Sequence, residues 1–105
     1  MIEGIQMDFK SSELKKHLVE RSQHHKRREA FYLSQVRRVR QAGTKRASYG
    51  TDPVTALENK AKSHRVRREL YALMSRHIVP DEIYRLKEED LNRIELLSDR
   101  PGRFE

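Results

Sequence analysis

The sequence predicts an all-α fold, in which a long antiparallel two-helix hairpin and a shorter C-terminal helix are completed by dimerisation. Three observations indicate this. Apolar residues recur at helical spacing along two long segments. A turn-like stretch separates these segments, which favours an antiparallel hairpin. Apolar residues make up only 35% of the 105 residues, a lean supply for the core of a small domain, so we expect a second copy to add to the core.

The first helix is predicted from its cap and its uninterrupted length. Ser11 or Ser12 is the expected N-cap, and Gly43 is a suitable residue to end the helix. No Pro or Gly interrupts the chain between them. The residues before this helix could form a short strand or an ordered arm.

The second and third helices have their own boundary signals. Thr51 or Asp52 can cap the second helix, with Pro53 at its first position, where the missing N–H costs nothing. Pro80 ends it, and the acidic start of KEEDLNRIELL favours a third helix. The single domain of 1–105 then has these predicted parts: an N-terminal arm at 1–10, a helix at 11–42, a basic turn at 43–51, a helix at 52–78, an acidic C-terminal helix at 80–98 and a tail at 99–105.

Placing residues 100° apart around each helix predicts the buried faces. The first helix has a stripe of Leu14, Leu18, His25, Tyr32, Val36 and Val39. The second has a stripe of Val54, Leu57, Ala61, His64, Tyr71 and Ser75. A later stripe of the second helix should lie under the third helix: Val66, Leu70, Leu73 and Met74. The third helix offers Leu91, Ile94 and Leu97, with Ile83 and Leu86. Three apolar residues are left over as candidates for a dimer contact: Val19, Phe31 and Leu33.

Two stretches of the chain resemble each other, HHKRREAFYL at 24–33 and HRVRRELYAL at 64–73. A duplication is disfavoured because the aligned histidines differ in helical phase, and the match fails outside these ten residues. In the first helix His25 and Tyr32 lie in the apolar stripe, whereas in the second helix His64 and Tyr71 do. We therefore expect these two His–Tyr pairs to lie near one another in the hairpin.

The charge is unevenly distributed. The chain has 23 Lys and Arg against 16 Asp and Glu, a net charge of +7. Residues 10–76 alone carry +12, and residues 77–105 carry −3. Such a basic middle segment is more than solubility requires and is typical of a surface that meets a polyanion.

Nucleic acid is the first predicted partner, with DNA and RNA both possible, because guanidinium groups fit phosphate geometry. The candidate binding residues are Lys26, Arg27, Arg37, Arg38, Lys45, Arg46, Lys60, Lys62, Arg65 and Arg67. Tyr49 in the basic turn could stack on a base. The alternative is a protein-interaction or inhibitor module that docks on an acidic protein surface.

Catalysis and metal binding have weaker support. The chain has no cysteine, no Gly-rich phosphate loop and no acidic cluster for Mg²⁺, so we expect a non-enzymatic protein without a cofactor. A second alternative is a helical bundle that binds zinc or iron through His25, Glu29 and His64, although further inward glutamates are lacking. Without a signal peptide or an apolar span, the expected location is the cytoplasm, with no membrane partner.

Overall fold

The computed structural model describes residues 4–42 and 52–96. Its elements are β1 (Gln6–Lys10), α1 (Ser11–Gln41), α2 (Pro53–Arg76), β2 (Ile83–Lys87) and α3 (Glu88–Arg93). The helical part of the predicted fold is confirmed: two long helices pack against each other, and a short helix follows them; its completion by dimerisation stays a prediction. The predicted basic turn at 43–51 and the tail at 99–105 lie outside the described residues. None of the helices in the described ranges has an apolar stretch of the length that a membrane crossing requires.

Contacts divide the chain into two compact units. The first, which we call the end unit, consists of residues 1–21 and 71–105. The second consists of residues 22–70 and is called the hairpin unit. Each long helix contributes one part to each unit, so the two units are described separately.

The start of α2 agrees with the prediction. The helix begins at Pro53, and the Asp52 carboxylate accepts a hydrogen bond from the backbone N–H of Val54 at 3.1 Å. Asp52 is therefore the N-cap, which satisfies one of the backbone donors left open at a helix start.

The start of α1 differs from the predicted serine cap. Ser11 is the first helical residue, and its hydroxyl accepts a hydrogen bond from the backbone N–H of Asp81 at 3.0 Å. The Glu13 carboxylate instead reaches back to accept the N–H of Lys10 at 3.3 Å. Ser11 therefore fastens the start of α1 to the turn before β2 within the end unit.

The helix predicted over 80–98 is wrong in its first half. Residues Ile83–Lys87 form a strand that pairs antiparallel with β1, from Gln6 opposite Lys87 to Lys10 opposite Ile83. Only six residues, Glu88–Arg93, are helical after it. Ile83 is 64% exposed, whereas Tyr84 and Leu86 pack on the core. This alternation has the period of a strand, not of a helix.

A cross-strand ion pair lies on the exposed side of this sheet. The Arg85 guanidinium donates a hydrogen bond to the Asp8 carboxylate, with 3.0 Å between Nε and the oxygen. This hydrogen bond and the charge of Asp8 raise the pKa of Arg85 above its usual value. Both side chains are exposed, so the pair helps to fix the register and contributes little to stability.

The core of the end unit lies between the long helices and the C-terminal segment. Leu14, Leu18, Tyr71 and Ile94 form its centre. Partly buried residues surround it: Phe9, Met74, Ile78, Tyr84, Leu86 and Leu96. The Tyr71 hydroxyl donates to the backbone carbonyl of Arg93 at 2.8 Å, which satisfies the polar end of a buried ring.

The predicted stripes on the facing sides of α1 and α2 are confirmed, but the later stripe on α2 is not covered. Val66, Leu70 and Leu73 are 54%, 44% and 50% exposed, whereas Met74 packs on the core of the end unit. The predicted third helix was expected to lie over this stripe. With β2 in its place, α3 has only six residues.

Candidate nucleic-acid interface

The hairpin unit is built around two buried histidines. His25 is fully buried and His64 is 4% exposed. Their Nδ1 atoms form a hydrogen bond of 2.8 Å, which requires a proton on one Nδ1 and none on the other. The prediction that His25, rather than the aligned His24, faces α2 is therefore confirmed.

Tyr32 extends this polar cluster toward the surface. Its ring stacks on that of His64, with centroids 5.6 Å apart. The guanidinium of Arg28 and the ammonium of Lys60 lie over the Tyr32 ring at 5.1 Å and 5.4 Å from its centroid. Three of the four residues of the predicted His–Tyr pairs thus come together, while Tyr71 belongs to the core of the end unit.

In the described part of the chain, no third metal ligand joins His25 and His64. The Glu29 carboxylate accepts a hydrogen bond from Arg68 at 3.0 Å, and the His25 and His64 rings bond to each other. Among residues 4–42 and 52–96, no group of three or more His, Asp or Glu side chains could hold a metal ion. Because both rings are buried, they have no access to a substrate either.

The candidate binding residues lie on the surface of the hairpin unit, apart from Lys45 and Arg46, which fall outside the described residues. Seven of them are exposed: Lys26, Arg27, Arg37, Arg38, Lys60, Lys62 and Arg65. Arg67 is half-buried. The sequence predicts one basic surface for the ten residues, but helical spacing separates the eight described residues onto two sides of the hairpin.

One side is centred on Phe31. Around the axis of α1, Arg27 and Arg38 lie within about 40° of Phe31. Arg28 also belongs to this side, since its guanidinium is 5.0 Å from the Phe31 ring centroid. From α2, Lys60 reaches the ring of Tyr32 beside Arg28, and Arg67 is two turns further along the same side. We call this surface the Phe31 face: Arg27, Arg28, Phe31, Arg38, Lys60 and Arg67.

The opposite side holds a cleft between the two helices, with a volume of about 270 Å³. Leu33, Lys62 and Arg65 line it together with Glu29 and Glu58. Helical spacing places Lys26 and Arg37 on the same side of α1 as Leu33. We call this surface the cleft face: Lys26, Leu33, Arg37, Lys62 and Arg65.

The carboxylates of the hairpin unit are already engaged. Glu29 pairs with Arg68 at 3.0 Å, Glu58 pairs with Arg40 at 3.5 Å, and Glu69 lies 3.9 Å from Arg68. Asp52 caps α2. Within the described ranges, the seven exposed candidate residues therefore have no ion-pair partner.

Sequence reasoning missed the contact of the Arg28 guanidinium with the Phe31 ring. The dimer contact predicted for Phe31 stays a prediction, and its side chain is 46% exposed. Its ring meets that of Tyr32 edge to face at 5.3 Å. The signal was present in the spacing, since Arg28 precedes Phe31 by three residues and Tyr32 by four, which places the three side chains together on a helix.

No protein-family model matches the chain, and no curated protein or solved structure is similar to it at a significant level. A function for this chain therefore has to come from its own residues.

Proposed function

We propose that this protein is a non-enzymatic nucleic-acid-binding protein whose hairpin unit contacts phosphates through Lys and Arg. The observation that supports this most strongly is the set of seven exposed Lys and Arg side chains without an ion-pair partner in the described ranges. A helical surface that served only solubility would intersperse both signs. Here the carboxylates are used within the hairpin, and unpaired positive charge remains.

The described part of the hairpin unit, residues 22–42 and 52–70, has eleven Lys and Arg against four Asp and Glu. Such a surplus attracts a polyanion, and each phosphate that is neutralised releases counterions. Lys45 and Arg46 add two further positive charges in the segment that joins the helices. Contacts of this kind hold the backbone and read no base sequence, so binding should be largely independent of sequence.

Of the two surfaces, the Phe31 face is the better phosphate surface. On the cleft face, Glu29 and Glu58 line the cleft beside Lys62 and Arg65, and a phosphate there would meet carboxylates at close range. On the Phe31 face, Arg28 lies over the rings of Phe31 and Tyr32, and Lys60 lies over the ring of Tyr32. We therefore assign the principal contact to Arg27, Arg38, Lys60 and Arg67.

The proposal is tested by the affinity of the full chain for labelled random duplex and single-stranded oligonucleotides, measured by fluorescence anisotropy at several salt concentrations. We expect binding that weakens steeply as salt rises, with a slope that reports the number of phosphates neutralised. No binding to either form at about 50 mM salt would overturn the proposal.

A second function is favoured by the uncovered stripe on α2. Within the hairpin unit, Val66 and Leu70 are 54% and 44% exposed; Lys62 precedes them in the sequence and Arg67 lies between them. An acidic amphipathic helix of another protein would match both the apolar and the basic character of such a stripe. Two results together would support this function instead. The native chain would bind no nucleic acid but capture an acidic protein, and the Val66→Asp variant would no longer capture that protein.

Two further expectations accompany the proposal. We keep self-association as a homodimer, because the exposed apolar residues give a second copy something to bury. We also keep the cytoplasm as the compartment, since a chain without cysteine gains nothing from an oxidising one. Sedimentation velocity of the purified chain tests the first of these.

A further inference from the structure

We infer that the Phe31 ring is a stacking site for an unpaired base, which makes single-stranded nucleic acid the preferred ligand of the Phe31 face. This inference rests on the proposed function and adds the ligand class to it. An exposed aromatic ring flanked by exposed cations, here Arg27 and Arg38, is the combination with which proteins hold single strands, because the cations follow the backbone and the ring meets a base.

The local geometry favours this use of the ring. Phe31 is 46% exposed, so a large part of it remains open to a ligand. The Arg28 guanidinium lies over one side of the ring at 5.0 Å from the centroid, and the Tyr32 ring contacts it at an interplanar angle of 74°. Tyr32 is itself buried and stacked on His64. These contacts hold the ring in place before a ligand binds, so less conformational entropy is lost when a base stacks on it.

The surrounding charges select the ligand. Arg27 and Arg38 precede and follow Phe31 by about one and two helical turns on the same side, and both are exposed. A phosphate backbone that runs along α1 could thus be held on either side of a base at Phe31. In duplex nucleic acid the bases are paired and stacked on each other, so the ring would gain nothing from them.

A second copy of the chain is a poorer occupant for this face. Self-association through Phe31 would bring Arg27, Arg28 and Arg38 of one copy close to the same cations of another. Like charges that meet in an interface oppose association. The positive charge around the ring is complementary to phosphate and repels the same surface of a second copy.

The experiment compares four forms of the full chain: native, Phe31→Ala, Phe31→Leu and Leu33→Ala. Leu33 is the matched control, because it is 41% exposed on the same helix and lies about 160° away from Phe31 around the axis. The probes are fluorescein-labelled oligothymidylate and oligouridylate of about 16 nucleotides, and a duplex of the same length. Circular dichroism confirms that each variant retains its helices.

We expect the native chain to bind the single strands more tightly than the duplex at equal salt. Phe31→Ala and Phe31→Leu should both weaken single-strand binding by about tenfold, since leucine keeps apolar area but has no ring. Duplex binding and the Leu33→Ala variant should be unchanged. Because stacking is not a charge interaction, the plot of log K against log salt should shift down in parallel, with its slope intact.

The other outcomes separate the two proposals. If the native chain binds no nucleic acid, the proposed function fails and this inference fails with it. If the native chain binds but Phe31→Ala leaves single-strand affinity unchanged, or weakens both forms equally, only the stacking site is overturned. If Phe31→Ala converts a dimer into a monomer in sedimentation velocity, the ring is a self-association contact, and the stacking site is likewise overturned.

Discussion

The Nδ1 atoms of His25 and His64 lie 2.8 Å apart in the buried centre of the hairpin unit. Each ring is thus the polar partner that the other requires, because a buried nitrogen without a hydrogen bond costs free energy. The pair fixes how the two helices face each other at this level. It also removes both histidines from the surface, where chemistry on a ligand would need them.

The first prediction concerns this pair. His64→Leu removes the partner of the His25 Nδ1 atom, and we expect it to lower the free energy of unfolding by about 2 kcal/mol. The double variant His25→Leu/His64→Leu removes both polar atoms and should be closer to the native stability than the two single losses added together. Urea unfolding followed by circular dichroism measures all four forms, and the double-mutant cycle isolates the coupling between the rings. Strictly additive losses would show that the hydrogen bond contributes no stability.

The second prediction concerns the ion pair of Arg21 and Glu95 in the end unit. Nε and Nη2 of Arg21 lie 2.9 Å and 2.7 Å from a carboxylate oxygen of Glu95. The side chains differ in exposure, with 21% for Arg21 and 5% for Glu95. Removing the arginine therefore leaves a charged carboxylate that is almost fully buried, whereas removing the glutamate leaves a guanidinium that is partly exposed.

We accordingly expect Arg21→Gln to lower the free energy of unfolding by about 3 kcal/mol. Glu95→Gln should cost only about 1 kcal/mol, since an amide oxygen can still accept from the arginine, and Arg21 can reach solvent. Urea unfolding of the two variants gives the comparison. Equal losses would mean that burial of the carboxylate does not decide the strength of this contact.

The third prediction tests the strand that replaced a predicted helix. Ile83→Lys should change the free energy of unfolding by no more than about 0.5 kcal/mol, because the side chain is exposed. Leu86→Lys should cost about 2 kcal/mol, because it places a charge where a side chain packs on the core. Thermal or urea unfolding distinguishes the two. In a helix, residues three apart share one face, so similar losses at both positions would contradict the strand.

This strand shows why part of the fold could not be predicted. Helical periodicity predicts the stripe that contains Leu18, His25 and Val36, because a long helix with one buried face repeats its buried positions at every turn. Residues 83–87 are too few to distinguish period two from period 3.6. Their strand conformation depends on backbone partners in β1, which precede them by more than 70 residues along the chain.

The candidate site, like the fold, could be predicted only in part. The residue types indicated a basic surface, and the hairpin keeps these side chains exposed. Their division into the Phe31 face and the cleft face depends on which side of each helix the partner covers. The use of Glu29 by Arg68 and of Glu58 by Arg40 depends on distances across the hairpin. Neither the two faces nor these ion pairs can be predicted from the periodicity of a single helix.

The last prediction uses this division. Arg27→Glu/Arg38→Glu reverses two cations on the Phe31 face, and Lys26→Glu/Arg37→Glu reverses their sequence neighbours on the cleft face. All four residues are exposed, and each double variant lowers the net charge from +7 to +3. Net charge and helix position are thus matched, and only the side of the helix differs.

If the Phe31 face holds the phosphate backbone, Arg27→Glu/Arg38→Glu should lower single-strand affinity by more than about tenfold and make the salt dependence shallower by about two phosphates. Lys26→Glu/Arg37→Glu should lower affinity far less, through long-range charge alone, and leave the slope nearly unchanged, because charges beyond about 10 Å are screened at ordinary salt. Fluorescence anisotropy over a salt series measures both quantities. Equal losses in the two variants would show that the ligand responds to the overall charge of the hairpin, and the assignment of a binding face would then be wrong.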